Sequence, residues 1–224
     1  MNRKRKIIIA AVVAILIVGL SLAVVFSEEL INKKVTNTNL TRVACLGDSI
    51  TQITYYPMDL QTLLGSNSQI GDFGVSGSTV DFNTSKPYYF EPAFKQARSF
   101  NPTTVVIMLG TNDARTDNYQ QIGTFVADYE RMLSRIENFT SKPQIFIVEP
   151  PPIYNNSINL NGTDFSQGVI PRIQQVANAM NLPLINVYTP MLNHPEYFSD
   201  GVHPNSEGAQ VIANIIYNAI KPSS

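Results

Sequence analysis

The chain of 224 residues contains one cysteine, no tryptophan and only two histidines. A single cysteine excludes an intramolecular disulfide, a zinc knuckle and a Cys-x-x-Cys redox site. Charged residues make up only 15% of the sequence and hydrophobic residues 44%, which excludes a disordered chain and a long coiled coil. The length is enough for one well-buried domain and is short for two.

An excess of positive charge is also missing from most of the sequence. The formal net charge is −1, and four of the 16 basic residues are grouped in the segment 3–6. Residues 7–224 therefore hold 12 basic and 17 acidic residues and carry a net charge of −5. Because a negatively charged body repels a phosphate backbone, nucleic-acid binding is not expected.

Residues 1–27 have the pattern of an export or membrane-targeting segment. Twenty residues without charge, 7–26, follow the basic cluster, and a helix of that length spans roughly 30 Å. The pattern predicts either a retained signal anchor that crosses the membrane or a cleaved signal peptide, with the remainder of the chain outside the cytoplasm in both cases. Residues 28–41 are polar and are expected to form a stalk before a domain at 42–224.

The rest of the sequence alternates between short apolar runs and segments with helical periodicity. Five runs are typical of strands buried on both faces of a parallel sheet: residues 42–46, 69–73, 103–109, 144–148 and 184–187. Apolar residues at helical spacing predict helices over 122–136, 173–180 and 211–219, and shorter ones over 58–64 and 91–100. This alternation predicts an α/β protein, a three-layer α/β/α sandwich whose site lies at the carboxyl ends of the strands.

Four loops carry residues suited to catalysis, although each loop alone is more typical of a plain turn. Ser49 directly follows the first strand, where its hydroxyl is exposed at the sheet edge, and Gly74 begins a loop of small residues whose N–H groups can face a ligand. Asn112 follows the third strand and either donates a side-chain N–H into the same space or caps a turn. Asp200 precedes His203 by three residues, a spacing at which a carboxylate can bond the imidazole and fix its tautomer.

Together these loops resemble the SGNH, or GDSL-type, esterase and lipase superfamily. The resemblance covers residues 42–220 and rests on four blocks: Gly47-Asp48-Ser49-Ile50, Gly74, Gly110-Thr111-Asn112-Asp113 and Asp200-x-x-His203. It implies a flavodoxin-like five-stranded sheet, with Ser49 as nucleophile, His203 as base and Asp200 as the orienting carboxylate. It also implies an oxyanion hole formed by the backbone N–H groups of Ser49 and Gly74 and the side chain of Asn112.

Two positions depart from the pattern of that superfamily. Ile50 replaces the usual leucine, which exchanges one apolar residue for another and leaves the chemistry unaffected. Asp72 stands two residues before Gly74, where asparagine is frequent. We expect its carboxylate to point away from the oxyanion site, because a second negative charge there opposes the developing one.

The function implied is that of an extracytoplasmic serine esterase that works through an acyl-enzyme and requires no metal or organic cofactor. Residues 42–224 leave little chain for a lid or an acyl tunnel, so a shallow groove and a short acyl group such as acetyl are expected. Aromatic residues shortly after Ser49 and at 88–90 suit the faces of a sugar, and packing within the loops explains them about as well. The predicted partner is therefore a small-molecule or glycan ester, and the membrane is contacted through residues 7–26.

Other functions remain open at this point. Lysophospholipid or thioester hydrolysis and acyl transfer use the same triad, and the sequence does not separate them. A non-enzymatic surface-binding module has no need of the intact set of Ser49, Asp200 and His203. A flavodoxin-like nucleotide binder fits poorly, because the loop after the first strand lacks a phosphate-cradling run of glycines.

Overall fold

The structure is a computed structural model of the chain. It describes residues 2, 19–27, 40–120 and 122–221. The chain divides into two units, Met1–Leu40 and Thr41–Ser224, and the described strands all belong to the second. This second unit begins one residue before the predicted start of the folded domain.

The N-terminal segment is described only in part. Residues 19–27 are helical. Residues 7–18 of the predicted membrane segment, and 28–39 of the predicted stalk, lie outside the described residues. Among the residues that are described, no helix is both long and apolar enough to cross a membrane.

Five parallel strands form one sheet in the second unit. In chain order they are β1 (Thr41–Gly47), β2 (Ser68–Gly74), β3 (Thr104–Met108), β4 (Gln144–Glu149) and β5 (Leu184–Asn186). Their order across the sheet is β2-β1-β3-β4-β5, with every neighbouring pair parallel. The predicted five-stranded parallel sheet is confirmed, and its strand order is that of flavodoxin-like folds.

Both faces of the sheet are buried because successive side chains of a strand point to opposite sides. In β1, Ala44 and Leu46 join the core on one face, whereas Val43 and Cys45 join the core on the other. The side chains of β3 and β4 alternate in the same way. The continuous apolar runs in the sequence follow from this burial on two sides.

Helices cover the two faces and complete three layers. In chain order they are α1 (Ser49–Ile53), α2 (Tyr56–Leu64), α3 (Pro92–Ser99), α4 (Thr116–Tyr119), α5 (Phe125–Glu137), α6 (Gly162–Asp164), α7 (Ile170–Ala179), α8 (Tyr188–Met191) and α9 (Ser206–Ile220). The apolar sides of α3, α5 and α7 form the core on one face, and those of α2 and α9 contribute to the core on the other. A π-helical turn, Phe165–Val169, joins α6 to α7.

The carboxyl ends of three neighbouring strands lie level with one another. Gly47 at the end of β1 is paired with Gly74 of β2 on one side and with Met108 of β3 on the other. A Cβ on Gly47 would lie 2.0 Å from Thr51 Oγ1, so only glycine lets α1 pack this closely against the strand. The strand order reverses here, and doubly wound folds bind their ligands in the crevice that this reversal creates.

Candidate active site

Ser49 is the first residue of α1 and directly follows the Asp48 that caps this helix. The Asp48 carboxylate accepts a hydrogen bond from the Ile50 N–H at 2.9 Å. At the other end, the Thr54 hydroxyl donates to the Ile50 carbonyl oxygen at 2.6 Å. The short helix is therefore held at both ends. Ser49 lies at the sheet edge, and 8% of its surface is exposed.

Ser49, His203 and Asp200, the three predicted catalytic residues, form a hydrogen-bonded row. His203 Nε2 lies 2.9 Å from Ser49 Oγ, and His203 Nδ1 lies 2.7 Å from Asp200 Oδ2. With the proton on Nδ1 donated to Asp200, Nε2 is the acceptor for the Ser49 hydroxyl. In this arrangement an imidazole can serve as general base for a serine nucleophile.

A tight turn fixes the Asp200 carboxylate against the imidazole. Its Oδ1 accepts the backbone N–H groups of Val202 at 3.0 Å and of His203 at 2.8 Å. Partial burial acts to raise the pKa of Asp200, but the hydrogen bonds from the His203 backbone and ring outweigh it, and the pKa lies below its usual 3.8. The group is ionised at neutral pH, the form that stabilises an imidazolium.

The turn depends on Gly201, which has φ of +84°. A Cβ at this position would lie 2.2 Å from the Asn155 carbonyl oxygen. The Tyr154 N–H donates to the Gly201 carbonyl oxygen at 2.7 Å. The loop after β4 therefore contacts the turn that carries Asp200 and His203, and it does so at a point where only glycine fits.

Asn112 is held by its neighbours with one side-chain hydrogen left over. Its Nδ2 donates to the Ser78 carbonyl oxygen at 3.0 Å, and its backbone carbonyl oxygen accepts from Asn118 Nδ2 at 2.8 Å. The side chain is largely buried and lines the same cavity as Ser49 and His203. Because an amide nitrogen carries two hydrogens, one remains for a ligand in that cavity.

The predicted role of Gly74 in the oxyanion hole is wrong. Its backbone N–H donates to Asp72 Oδ1 at 2.8 Å and is therefore not available to a substrate oxygen. A Cβ at Gly74 would lie 2.4 Å from the Gln52 nitrogen, so this glycine serves the close packing of α1 on β2. Neither Gly74 nor Asp72 is among the described residues that line the cavity beside Ser49.

Gly77, three residues further along the same loop, lies at the cavity that Gly74 does not reach. It lines the cavity together with Ser49 and Asn112. Its φ is +77°, and a Cβ there would meet no atom within 4 Å. Within the described part of the chain its N–H donates to no other residue, so this loop offers one free backbone donor at the site.

The cavity beside the Ser49 hydroxyl is small, with a volume of about 270 Å³. It is lined by Ser49, Ile53, Ser76, Gly77, Asn112, Arg115, Ile158, Leu160 and His203. Small-molecule sites usually measure roughly 300–1,000 Å³, so this space suits a short acyl group. The described residues include no group of three or more His, Cys, Asp or Glu side chains placed to hold a metal ion.

Two buried carboxyl groups support the loops around the site. Asp113 accepts the N–H groups of Val80 and Asp81, each at 3.0 Å, and thereby ties the loop after β3 to the loop after β2. Burial raises the pKa of Asp113 from 3.8 to about 7, although these hydrogen bonds oppose the change. Burial likewise raises the pKa of Asp48 to about 6. In the sequence, the supporting role of Asp113 is indicated only by its position directly after Asn112.

The family model for the GDSL-like lipase/acylhydrolase family matches residues 45–211. The chain belongs to the GDSL-like lipase/acylhydrolase family. The matched region contains Ser49, Asn112, Asp200 and His203. The family comprises lipases and acylhydrolases, as its name states.

Individual relatives of the GDSL-like chain include esterases. An acetylxylan esterase of Xylanibacter ruminicola is 35% identical, over 80% of this chain and 43% of the relative, so the chain spans less than half of that protein. A GDSL-like lipase structure from Bacteroides thetaiotaomicron has a TM-score of 0.65 at 23% identity, covering 82% of this chain and 89% of that one. A carbohydrate acetylesterase family member from Sinorhizobium meliloti has a TM-score of 0.62 at 19% identity, covering 81% and 97%. These two structures share the fold of the chain.

Proposed function

We propose that the protein is a serine esterase in which Ser49 is the nucleophile, His203 the general base and Asp200 the carboxylate that orients the imidazole. The observation that carries the proposal is the unbroken row of hydrogen bonds from Asp200 through His203 to Ser49 Oγ. His203 takes the Ser49 proton as the oxygen attacks the ester carbonyl, and then gives it to the departing alcohol. Water, deprotonated by His203 in the same way, hydrolyses the acyl-enzyme and restores Ser49.

Three donors would stabilise the negative charge that develops on the carbonyl oxygen. They are the backbone N–H of Ser49, the backbone N–H of Gly77 and the second hydrogen on Asn112 Nδ2. Gly77 replaces Gly74 in this proposal because the Gly74 N–H is bonded to Asp72. Donors that are already in place need no reorganisation when the charge appears, and this is the main source of their catalytic effect.

The acyl group of the substrate is proposed to be short, with acetyl favoured, and the alcohol to be a carbohydrate. The cavity of about 270 Å³ beside Ser49 supports the first part. Two relatives, an acetylxylan esterase and a carbohydrate acetylesterase family member, support the second. The Asp200–His203 turn and the loop after β4 border the space in which the alcohol would leave.

A series of esters with one leaving group tests this substrate class. We expect kcat/KM to be highest for acetyl, lower for butyryl, and at least tenfold lower for octanoyl and palmitoyl. Each methylene that a cavity does bury contributes about 0.8 kcal/mol, so the series distinguishes a short acyl site from a long channel. Ser49→Ala protein is the control for non-specific hydrolysis.

Two results would contradict the proposal in different ways. Highest activity on octanoyl or palmitoyl esters would point to a lipid or lysophospholipid substrate. Transfer of the acetyl group to added sugars or alcohols, faster than its release to water, would make the protein an acyltransferase with the same triad.

We also propose that the esterase domain works outside the cytoplasm, tethered by residues 7–26 or released after their cleavage. Support comes from the basic residues at 3–6 and the charge-free segment that follows them. Fractionation of cells that produce the full-length chain, with protease added to intact cells, is the test. Full-length protein that is soluble in the cytoplasm and protected from protease would refute both forms.

A further inference from the structure

Two larger cavities adjoin the one beside Ser49 and continue it along the molecule. Arg115 lines both the triad cavity and a cavity of about 450 Å³. Thr116 and Asn159 line that second cavity and a third of about 560 Å³, and Leu160 lines both the third cavity and the triad cavity. The three spaces are therefore neighbours that share walls, and we call the two beyond the triad cavity the outer groove.

Most of the described side chains that line the outer groove are polar, and together they carry no net charge. Among the described residues that line it, Arg115 and Asp117 are the charged ones. Arg115 Nε donates to Asp117 Oδ1 at 2.7 Å and Nη2 donates to Oδ2 at 3.1 Å, so the two charges are paired. From the described residues, a ligand in this groove therefore meets a paired cation and anion and no unpaired charge that would select a phosphate, a carboxylate or an amine.

Two amide side chains in the outer groove are free for a ligand. Asn155 and Asn159 are exposed, and neither side chain is hydrogen-bonded to any residue that the structure describes. By contrast, both hydrogens of the Asn156 side-chain amide are used, since its Nδ2 donates to the Tyr154 and Leu160 carbonyl oxygens. The loop is thus fixed by one asparagine while two others present unused donors and acceptors.

We propose that the outer groove binds the sugar units next to the esterified one in a neutral polysaccharide. This inference rests on the proposed esterase function and names its substrate as a polymer. An amide presents both donors and an acceptor, which is the complement of a ring bearing several hydroxyl groups. A cation already paired with a carboxylate disfavours an anionic glycan or a phospholipid headgroup, and the mostly polar lining disfavours a long acyl chain.

The outer groove is joined to the catalytic turn through the backbone. The Tyr154 N–H donates to the Gly201 carbonyl oxygen at 2.7 Å, between Asp200 and His203. On the other wall, the Thr116 N–H donates to the Asn159 carbonyl oxygen at 3.3 Å. Sugars bound there would hold the ester in place relative to Ser49, and binding energy from such remote contacts can lower the barrier of the reacting bond.

The test compares acetylated xylo-oligosaccharides and manno-oligosaccharides of one to six units with p-nitrophenyl acetate, which has no sugar. For the full-length protein we expect kcat/KM to rise with chain length, by about tenfold or more between one unit and four. The double variant Asn155→Ala/Asn159→Gly removes both free amides. It should lower kcat/KM on the long substrates by roughly 3- to 30-fold, the effect of losing one or two neutral hydrogen bonds. Its loss of kcat/KM on p-nitrophenyl acetate, which has no sugar to reach the groove, should be much smaller than its loss on the long substrates.

Glycine is chosen at position 159 because Asn159 has φ of +59°, which alanine tolerates poorly. Asn181→Gly is the matched control. Asn181 is also an exposed asparagine in the left-handed region, with φ of +51°, but it precedes β5 at the opposite edge of the sheet. This variant should behave like the unmodified protein on every substrate.

Calorimetric binding of unacetylated xylohexaose and mannohexaose to Ser49→Ala protein separates the two proposals. If the hexaoses bind and the Asn155→Ala/Asn159→Gly change weakens their binding, the groove proposal is supported, whether or not any sugar ester is hydrolysed. A failure to hydrolyse every sugar ester would instead overturn the proposed function. If acetylated sugars are hydrolysed but kcat/KM does not depend on chain length in the xylo- or the manno-oligosaccharides, the groove proposal is overturned. The proposed esterase function is then unaffected. A larger loss on octanoyl esters than on oligosaccharides in the double variant would mean that the groove holds an acyl chain, and would also overturn the proposal.

Discussion

His203 Nε2 lies 2.9 Å from Ser49 Oγ, although the two residues are 154 positions apart in the chain. The contact forms because Ser49 begins the helix after β1 and His203 lies in the turn that precedes α9. Both turns are at the carboxyl edge of the sheet, where doubly wound folds bring distant loops together. The proposed activity of the chain depends on this contact between His203 and Ser49.

Ser49→Ala and His203→Ala should each remove most esterase activity, and the double variant should lose little more. Residues that act as one unit give non-additive losses, and the remaining site can retain roughly 10³–10⁴-fold catalysis over water. Steady-state kinetics on p-nitrophenyl acetate measure this. His194→Ala is the control, because His194 Nδ1 also lies 2.7 Å from a carboxylate, that of Glu196, on the exposed surface. Losses that multiply in the double variant would show that the two residues act independently.

Asn112→Ala should lower kcat by about 10²–10³, the usual effect of removing one oxyanion donor. KM should change little, since the hydrogen bond strengthens only in the transition state. The variant also loses the bond from Asn112 Nδ2 to the Ser78 carbonyl oxygen, so we expect a stability loss of about 1 kcal/mol. Thermal unfolding checks this second effect. A variant that is less stable but has an unchanged kcat per folded molecule would assign Asn112 a purely structural role.

Gly201→Ala should reduce both stability and activity. The added Cβ meets the Asn155 carbonyl oxygen, and φ of +84° is strained for alanine, so the turn that holds Asp200 and His203 has to move. Gly65→Ala is the control, because Gly65 also has a positive φ of +74° but nothing lies within 4 Å of its Cβ position. Urea unfolding measures the stability lost in each variant, and kcat shows whether the Asp200–His203 turn has also been displaced. Strain alone lowers stability only, whereas displacement of the turn lowers kcat as well. Equal stability losses and an unchanged kcat in both variants would contradict the proposed constraint.

Stability should fall as pH rises from about 4 to about 7, and Asp113→Asn should flatten this dependence. Burial raises the pKa of Asp113 from 3.8 to about 7, so the folded protein holds a proton that the unfolded chain releases in this range. The contribution is fully present below pH 3.8 and is lost as pH passes through the folded pKa. Urea unfolding at four pH values measures the slope. Asp117→Asn is the control: the hydrogen bond from Arg115 lowers the pKa of Asp117, which titrates below this range. A slope that Asp113→Asn leaves unchanged would contradict the raised pKa.

The strands, and the residues of the hydrogen-bonded row at the sheet edge, could be located from the sequence because their signals are local. Continuous apolar runs follow from burial on both sheet faces, and each predicted run overlaps an observed strand from β1 to β5. Ser49 and Asn112 stand in loops that follow such runs, and Asp200 and His203 form a short spaced pair. The sequence therefore marked all four as candidates for the carboxyl edge of the sheet. The resemblance to the GDSL-type superfamily then supplied a role for each of them.

Other features were decided only by the tertiary structure. Gly74 and Gly77 belong to one loop of small residues, and nothing in the sequence tells which N–H stays free. That choice is made by the Asp72 carboxylate, which takes the Gly74 N–H, and by α1, which packs against Gly74. The burial of Asp113 and the groove beyond Arg115 likewise arise where loops after different strands meet. Such contacts join residues far apart in the chain, and neither periodicity nor a short motif carries information about them.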